Sequence, residues 1–401
     1  MRHIPVARAL ASLCLMLLGT SRDIAAQTSD ELFDASTVQD VFISINERDL
    51  AELRDRYREN VFFPADVVWR GVRVQNIGVR SRGLASRSAS KPGLKLDFNH
   101  YVTGQRFLGF ESLVLDNLTT DPSMIREVLA MKLFARLGQP SLRESFARVY
   151  INRAYQGLYA IVEPVDKTFL EHTWHDSNGY LFERHFIWPF YGQELADIAA
   201  WREVFEPRTH EQDADTILYT PIGALFHEAN QPVDGVWRSS VERYLDLTQF
   251  VTHVAIETCL AEGDGVLGYS GMANFYLYRT ADNTQHRLIV WDKDRTFSAI
   301  DLQIFQGAQE NVLFSRAWMF SDLRTRYLDV LDQCAGAISA SDWLEQAIDQ
   351  AAMLVAEPAR QDTVKPYSED EHDAAVAFLR SFARERPMFL LRAVATARAE
   401  H

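Results

Sequence analysis

Beyond residue 40 the apolar positions of the chain follow two regimes. From 41 to about 165 they recur with period two in short runs, the spacing of strands with one buried face. Such runs are VFISI at 41–45, VVWRG and VRVQNIGVR between 67 and 80, LKLDF at 94–98 and LVL at 113–115. ARVYI and GLYAIVE then flank residues 152–156 as a hairpin, which Glu163 and Pro164 end. Two helices interrupt this part. One is capped by Asn46 and runs to about Asn60. The other opens at Asp121, Pro122 and Ser123, repeats apolar residues at Ile125, Leu129, Leu133 and Leu137, and stops at Gly138. Residues 166–174 suit a short helix. From about 195 the helical period dominates, and the most apolar helix (245–262) runs into the glycine-flanked Asp264. Two β runs, 274–279 and 287–291, are joined by a polar turn, and helix follows from about 312. The expected architecture is α+β and two-lobed: a β-rich lobe at 41–165 and a mainly helical lobe at 166–401.

Composition narrows the class. Of 401 residues, 47% are hydrophobic and 24% charged, which is globular and excludes a disordered or collagen-like chain. A formal charge of −14 argues against broad binding to nucleic acid or anionic membranes. Residues 1–26 read as a cleaved export signal, with Arg2 and Arg8 before a short apolar run and Ala25-Ala26 before the cut. Its removal takes Arg2, Arg8, Arg22 and Asp23 and leaves a charge of −16. Residues 27–40 read as a flexible lead-in. No later run of 18 apolar residues occurs, so a soluble secreted or periplasmic protein without a transmembrane segment is expected. Cys259 and Cys334 could pair in an oxidising compartment. No CxxC or HExxH zinc pattern is present, nor the GxSxG of a serine hydrolase. Only six residues are lysine: 91, 95, 132, 167, 293 and 365.

Three features carry chemistry. Asp264 lies in a loop, and Asn274 stands ten residues on at a strand start. Trp291, Asp292, Lys293 and Asp294 follow the second strand of the same hairpin. A hairpin brings its two ends together, so Asn274 and Asp292 should be neighbours. Their hard oxygen donors suit Mg²⁺ or Ca²⁺, with Asp264 free to orient or deprotonate a hydroxyl. Acids at loop ends are common, and it is the ordered set that argues for phosphoryl transfer. The third feature is Lys95, on a strand behind a basic, serine-rich loop (80–90) in which Arg80, Arg82 and Arg87 could surround phosphates. Gly78 and Gly83, the glycines flanking the start of this loop, match neither GxGxxG nor GxxxxGK[ST], so no standard phosphate loop accompanies Lys95.

These pieces resemble the CotH kinase family, secreted atypical protein kinases. The match runs in order through Arg82-Gly83 with Ser86-Arg87, KPGLKLDF at 91–98, DPSMIREVLA at 121–130, YINRAYQGLYAIVE at 150–163, NFYLY at 274–278 and WDKDRTF at 291–297. The resemblance implies a divergent two-lobed protein-kinase-like fold with ATP between the lobes. It implies that Lys95, Arg82 and Arg87 contact phosphates, that Glu163 marks the hinge beside adenine, and that Glu127 is a partner for Lys95. Asp264 would be catalytic. Asn274, Asp292 and Asp294 would hold Mg²⁺ or Mn²⁺. The implied reaction moves the γ-phosphoryl of ATP to Ser or Thr of a secreted or cell-surface protein. Two other readings stay open: a non-catalytic envelope scaffold, and a metal-dependent hydrolase. The basic loop reads GLAS where the family usually has GNSS, and Pro92 stands where a second lysine is common.

Overall fold

The computed structural model describes residues 27–185 and 188–400. The expected export signal and part of the aromatic run at 186–190 lie outside the described residues. Seven strands form a closed barrel in the order β1-β2-β3-β4-β5-β7-β6. They are β1 (Val38–Ile45), β2 (Phe63–Trp69), β3 (Val72–Arg82), β4 (Gly93–Asp97), β5 (Ser112–Asp116), β6 (Glu144–Ile151) and β7 (Ala154–Val162). Neighbours are antiparallel except β1 and β6, whose parallel pairing closes the ring. The period-two pattern sets what faces where. Leu94, Leu96, Leu113 and Leu115 point inward with Val41 and Ile43 to form the barrel core. Val114, Phe146, Ala160 and Val162 point outward into a second core, shared with the rest of the chain.

Residues 27–40 correct the expected flexible lead-in. They hold α1 (Ser29–Leu32), whose Thr28 and Glu31 form a capping box, and then the start of β1. Leu32 and Phe33 are buried against the barrel core. The helix capped by Asn46, α2 (Glu47–Asp55), is shorter than expected. The helix at 121–137 begins late, as α3 (Arg126–Arg136), because the Asp121 carboxylate accepts the N–H groups of Ser123, Ile125 and Arg126 and holds 121–125 as a capping loop.

The second half starts with α4 (Lys167–Trp174), capped by Asp166. It also contains β8 (Tyr180–Arg184) and β9 (Phe205–Pro207), which period reasoning did not reveal. They pair with β10 (Phe275–Arg279) and β11 (Arg287–Val290) in the order β11-β10-β8-β9. Around this sheet pack α5 (Trp201–Val204), α6 (Asp215–Asn230), α7 (Trp237–Glu242), α8 (Leu247–Cys259), α9 (Val312–Ala317), α10 (Ser321–Ser339), α11 (Trp343–Gln361) and α12 (Glu369–Glu400). The chain thus mixes α and β structure as expected. Cys259 and Cys334 form a disulfide that ties the end of α8 to α10. Arg386 of α12 is fully buried and donates to the carbonyls of Thr258, Cys259, Ile300 and Leu302. A guanidinium on the last carbonyls of α8 satisfies them and suits the negative end of the helix.

One buried histidine gives the fold an acid limit. His286 has no exposed surface, and its Nδ1 lies 2.8 Å from the Tyr244 carbonyl. Burial pushes its pKa from 6.5 down to about 4. Between those values the unfolded chain binds a proton that the native chain does not. Its contribution is complete above about pH 6.5 and is lost as pH falls towards 4, amounting to about 3 kcal/mol. Urea unfolding from pH 7 to 4.5 should show this slope, and His286→Gln should flatten it.

Candidate functional site

Strand register builds one wall of the site. Arg80 of β3, Lys95 of β4 and Val114 of β5 stand opposite one another, and Val162 of β7 and Glu144 of β6 continue the row. The adjacent row runs from Arg82 through Gly93 and Asp116 to Ala160. Gly93 has no side chain, so Arg82 reaches over it to within 3.7 Å of Asp116. The wall therefore grades from cations on β3 and β4 to carboxylates on β5 and β6.

The end of α8 and the β10–β11 hairpin build the opposite wall. Phe275 pairs with Val290, so Asn274 and Asp292 emerge at the same end of the hairpin, as their spacing implied. Asn274 donates through Nδ2 to the carbonyl oxygen of Asp264 at 2.8 Å and to its Oδ2 at 3.2 Å. The amide oxygen of Asn274 is thereby turned away from Asp264. Asn274 and Asp292 both have left-handed backbones, with φ of +56° and +50°. Asn and Asp are the non-glycine residues that enter this region most readily. Asp294 accepts a hydrogen bond from the Thr120 hydroxyl, which joins this wall to the β5–α3 connection. Arg82 lies over the Trp291 ring at 5.4 Å from its centroid.

A buried lysine lies beneath these groups. Lys293 has no exposed surface; its Nζ is 2.8 Å from Glu257 Oε1 and donates to the Asn274 carbonyl at 2.9 Å. Glu257 also accepts from the Val266 N–H at 2.7 Å, and its Oε1 lies 3.1 Å from His253 Nε2. Burial alone would push the Glu257 carboxyl up, but Lys293 and His253 hold it down at about 2. Glu262, one turn on, accepts the Asp264 N–H and is pushed up to about 8 by burial.

The carboxylates facing the barrel wall are crowded. Burial, then the charges of Asp294 and Asp116, push Asp292 well above the usual carboxylate range. Burial with Glu144 and Asp292 does the same to Glu127, and burial with Asp116 and Asp292 to Glu144. Asp294 and Asp264 are raised mainly by burial. Like charges packed this closely cannot all ionise unless protons or a cation offset them. Glu144 carries two buried oxygens with no hydrogen-bond partner. Among the described residues no three His, Cys, Asp or Glu side chains converge as a self-sufficient metal cage.

The structure treats the expected residues unequally. It brings together Asp264, Asn274, Asp292, Asp294 and Arg82. Lys95 is half-buried on the same wall, with Asp97 as its nearest carboxylate at 3.9 Å. No Lys95–Glu127 pair forms, because Glu127 Oε1 instead accepts the Lys293 N–H at 3.4 Å. Arg87 corrects the reading of the basic loop. Its guanidinium donates to the carbonyls of Gly83, Tyr57 and Glu59 and to Asn60, so it closes the chain after α2 rather than facing phosphate. Glu163 is buried. Its carboxylate holds Arg143 at 2.7 Å and its N–H donates to the Arg143 carbonyl, so a base contact there would have to use its own carbonyl. Sequence reasoning missed Asp116, Glu144 and Glu257. For Glu257 a signal existed: a carboxylate inside the most apolar helix, where burial requires a partner.

The model of the family described as CotH kinase protein matches residues 79–390, which includes every residue of both walls. Inner spore coat protein H of Bacillus subtilis (strain 168) is 23% identical over 322 residues, covering 76% of this chain and 83% of that protein.

Proposed function

The chain belongs to the CotH kinase family, and from that premise we propose that it is an exported, ATP- and Mg²⁺-dependent protein kinase acting on Ser or Thr hydroxyls of secreted or surface proteins. The observation that carries this reading is the Asp264–Asn274 hydrogen bond at the mouth of a carboxylate cluster faced by Arg82. The nucleotide would lie where the β3–β6 face of the barrel meets the end of α8 and the β10–β11 hairpin, in a two-lobed kinase-like arrangement. Asn274 Oδ1 and Asp292, with Asp294 beside them, are the oxygens that would hold Mg²⁺, which when bound offsets charge on the phosphates. Arg82 and Lys95 would orient the phosphate oxygens. Asp264 would align the acceptor hydroxyl and take its proton as oxygen bonds to the γ-phosphorus and the bond to the β–γ bridging oxygen breaks, releasing ADP. Positioning and preorganised charge would supply most of the acceleration.

Export is supported by the signal-like residues 1–26 and by the Cys259–Cys334 disulfide. No helix among the described residues is long and apolar enough to cross a membrane. Thermal unfolding with ATP and Mg²⁺ tests the reading at its first step. At 100 times its dissociation constant Mg·ATP should stabilise the protein by about 2.7 kcal/mol, and ATP without the cation by much less. No stabilisation would favour a scaffold. Release of phosphate from a small ester in the absence of ATP would favour a metal-dependent hydrolase.

A further inference from the structure

The buried Lys293–Glu257 pair touches each segment of the wall built by the end of α8 and the β10–β11 hairpin. Glu257 Oε2 accepts from Val266, two residues beyond Asp264. A Cβ on Gly265 would come within 2.5 Å of that same oxygen, so the loop is wrapped tightly over the carboxylate. Lys293 Nζ holds the carbonyl of Asn274, the residue whose side chain fixes Asp264. The lysine backbone lies between Asp292 and Asp294. Its N–H reaches Glu127 on α3, and its carbonyl accepts from the Thr296 hydroxyl at 2.7 Å. One ion pair thus sets α8, the Asp264 loop, the start of β10 and the end of β11 in a single register.

Stability alone is a poor reason for such a pair. Taking two charges out of water costs about what their attraction returns, and apolar replacements of similar size are often neutral or stabilising. What an apolar pair could not do is donate to the Asn274 carbonyl or accept from Val266. The left-handed backbones of Asn274 and Asp292 stand directly beside these contacts. We infer that Lys293 and Glu257 are positioning residues, which hold Asp264, Asn274 and Asp292 in the geometry that transfer requires. This rests on the phosphotransferase reading above.

The test uses the full mature chain as wild type, Lys293→Met, Glu257→Gln and the double variant. Lys293→Met should melt well below wild type, because it strands the Glu257 charge. The double variant leaves no buried charge and should recover most of that loss. In the double variant amide exchange should rise about tenfold over residues 263–274 and 291–296 and stay at wild-type levels in the barrel. Its kcat should fall about 10–100-fold, the usual cost of losing a supporting shell, with KM for the acceptor little changed. Wild-type exchange in those segments together with wild-type kcat in the double variant would overturn the inference. Should the double variant not fold, Glu257→Gln alone, which keeps a similar shape, should show the same local exchange; its absence overturns the inference equally. A wild-type protein that transfers nothing would remove the phosphotransferase reading. The local exchange measurement separates that failure from failure of the positioning role.

Discussion

Asp264→Asn is expected to lower phosphoryl transfer by roughly 10²–10⁴-fold, the usual contribution of a positioned general base, without lowering the melting temperature. The substitution keeps size and keeps an oxygen to accept from Asn274, so the hydrogen bond that orients residue 264 survives. What disappears is the ability to take a proton. The Asp264 carboxyl is raised by burial and pulled back by Lys293 and Asn274, so an amide there removes a poorly solvated charge. Asp292→Asn should be as damaging to transfer for a different reason, the loss of an anionic cation ligand. It should also leave the cation-free protein no less stable, because one of several crowded carboxylates becomes neutral. Lost activity with retained or improved stability is the pattern of a site strained for function.

Asp362→Ala should be the most damaging change to stability among those far from the site, at about 3–5 kcal/mol, the cost of breaking a buried ion pair by removing one partner. Lys91 follows the basic loop. Its Nζ reaches Asp362 Oδ2 at 2.6 Å, across 271 residues of sequence, and neither side chain has any exposed surface. The same oxygen accepts from Leu158 of β7, and Oδ1 accepts from Val364 and Lys365 just past α11. One buried carboxylate thus fastens the barrel to the C-terminal helices, beside the Tyr155 hydroxyl that donates to the Pro358 carbonyl. Gly157 shows how close the fit is. Its φ is +114°, and a Cβ there would lie 2.3 Å from Asp362 Oδ2. Urea unfolding of Asp362→Ala checks the loss. Lys91→Met with Asp362→Asn leaves no buried charge and should recover most of it.

Local pattern carried much of the site. Asn274 and Asp292 were readable as neighbours because two short period-two strands and a polar turn leave little freedom of register. Asp264 was readable because an apolar helix ran into a loop with glycines on either side. Contacts set by barrel closure were not readable. Glu144 meets Asp116 because β7 lies between β5 and β6, an order that no local pattern specifies. Lys91 and Asp362 are remote for the same reason. Arg87 shows the opposite failure. A basic, serine-rich loop reads as a phosphate cradle, yet the guanidinium's donors match the carbonyls left open after α2. The four-residue α1 is too short to leave a periodic trace, and its capping box was the only local sign of it.

The walls formed by Asp264, Asn274, Asp292 and Arg82 are proposed to transfer phosphoryl groups. The most direct test incubates the purified mature chain with γ-labelled ATP, Mg²⁺ and an envelope extract. Wild type is compared with Asp264→Asn and Asp292→Asn, and labelled residues are located by mass spectrometry. Wild type should give cation-dependent label on Ser or Thr, and both variants should lose that label while their melting temperatures hold. Equal labelling by both variants, or no labelling by folded wild type with Mg·ATP present, would contradict the proposal.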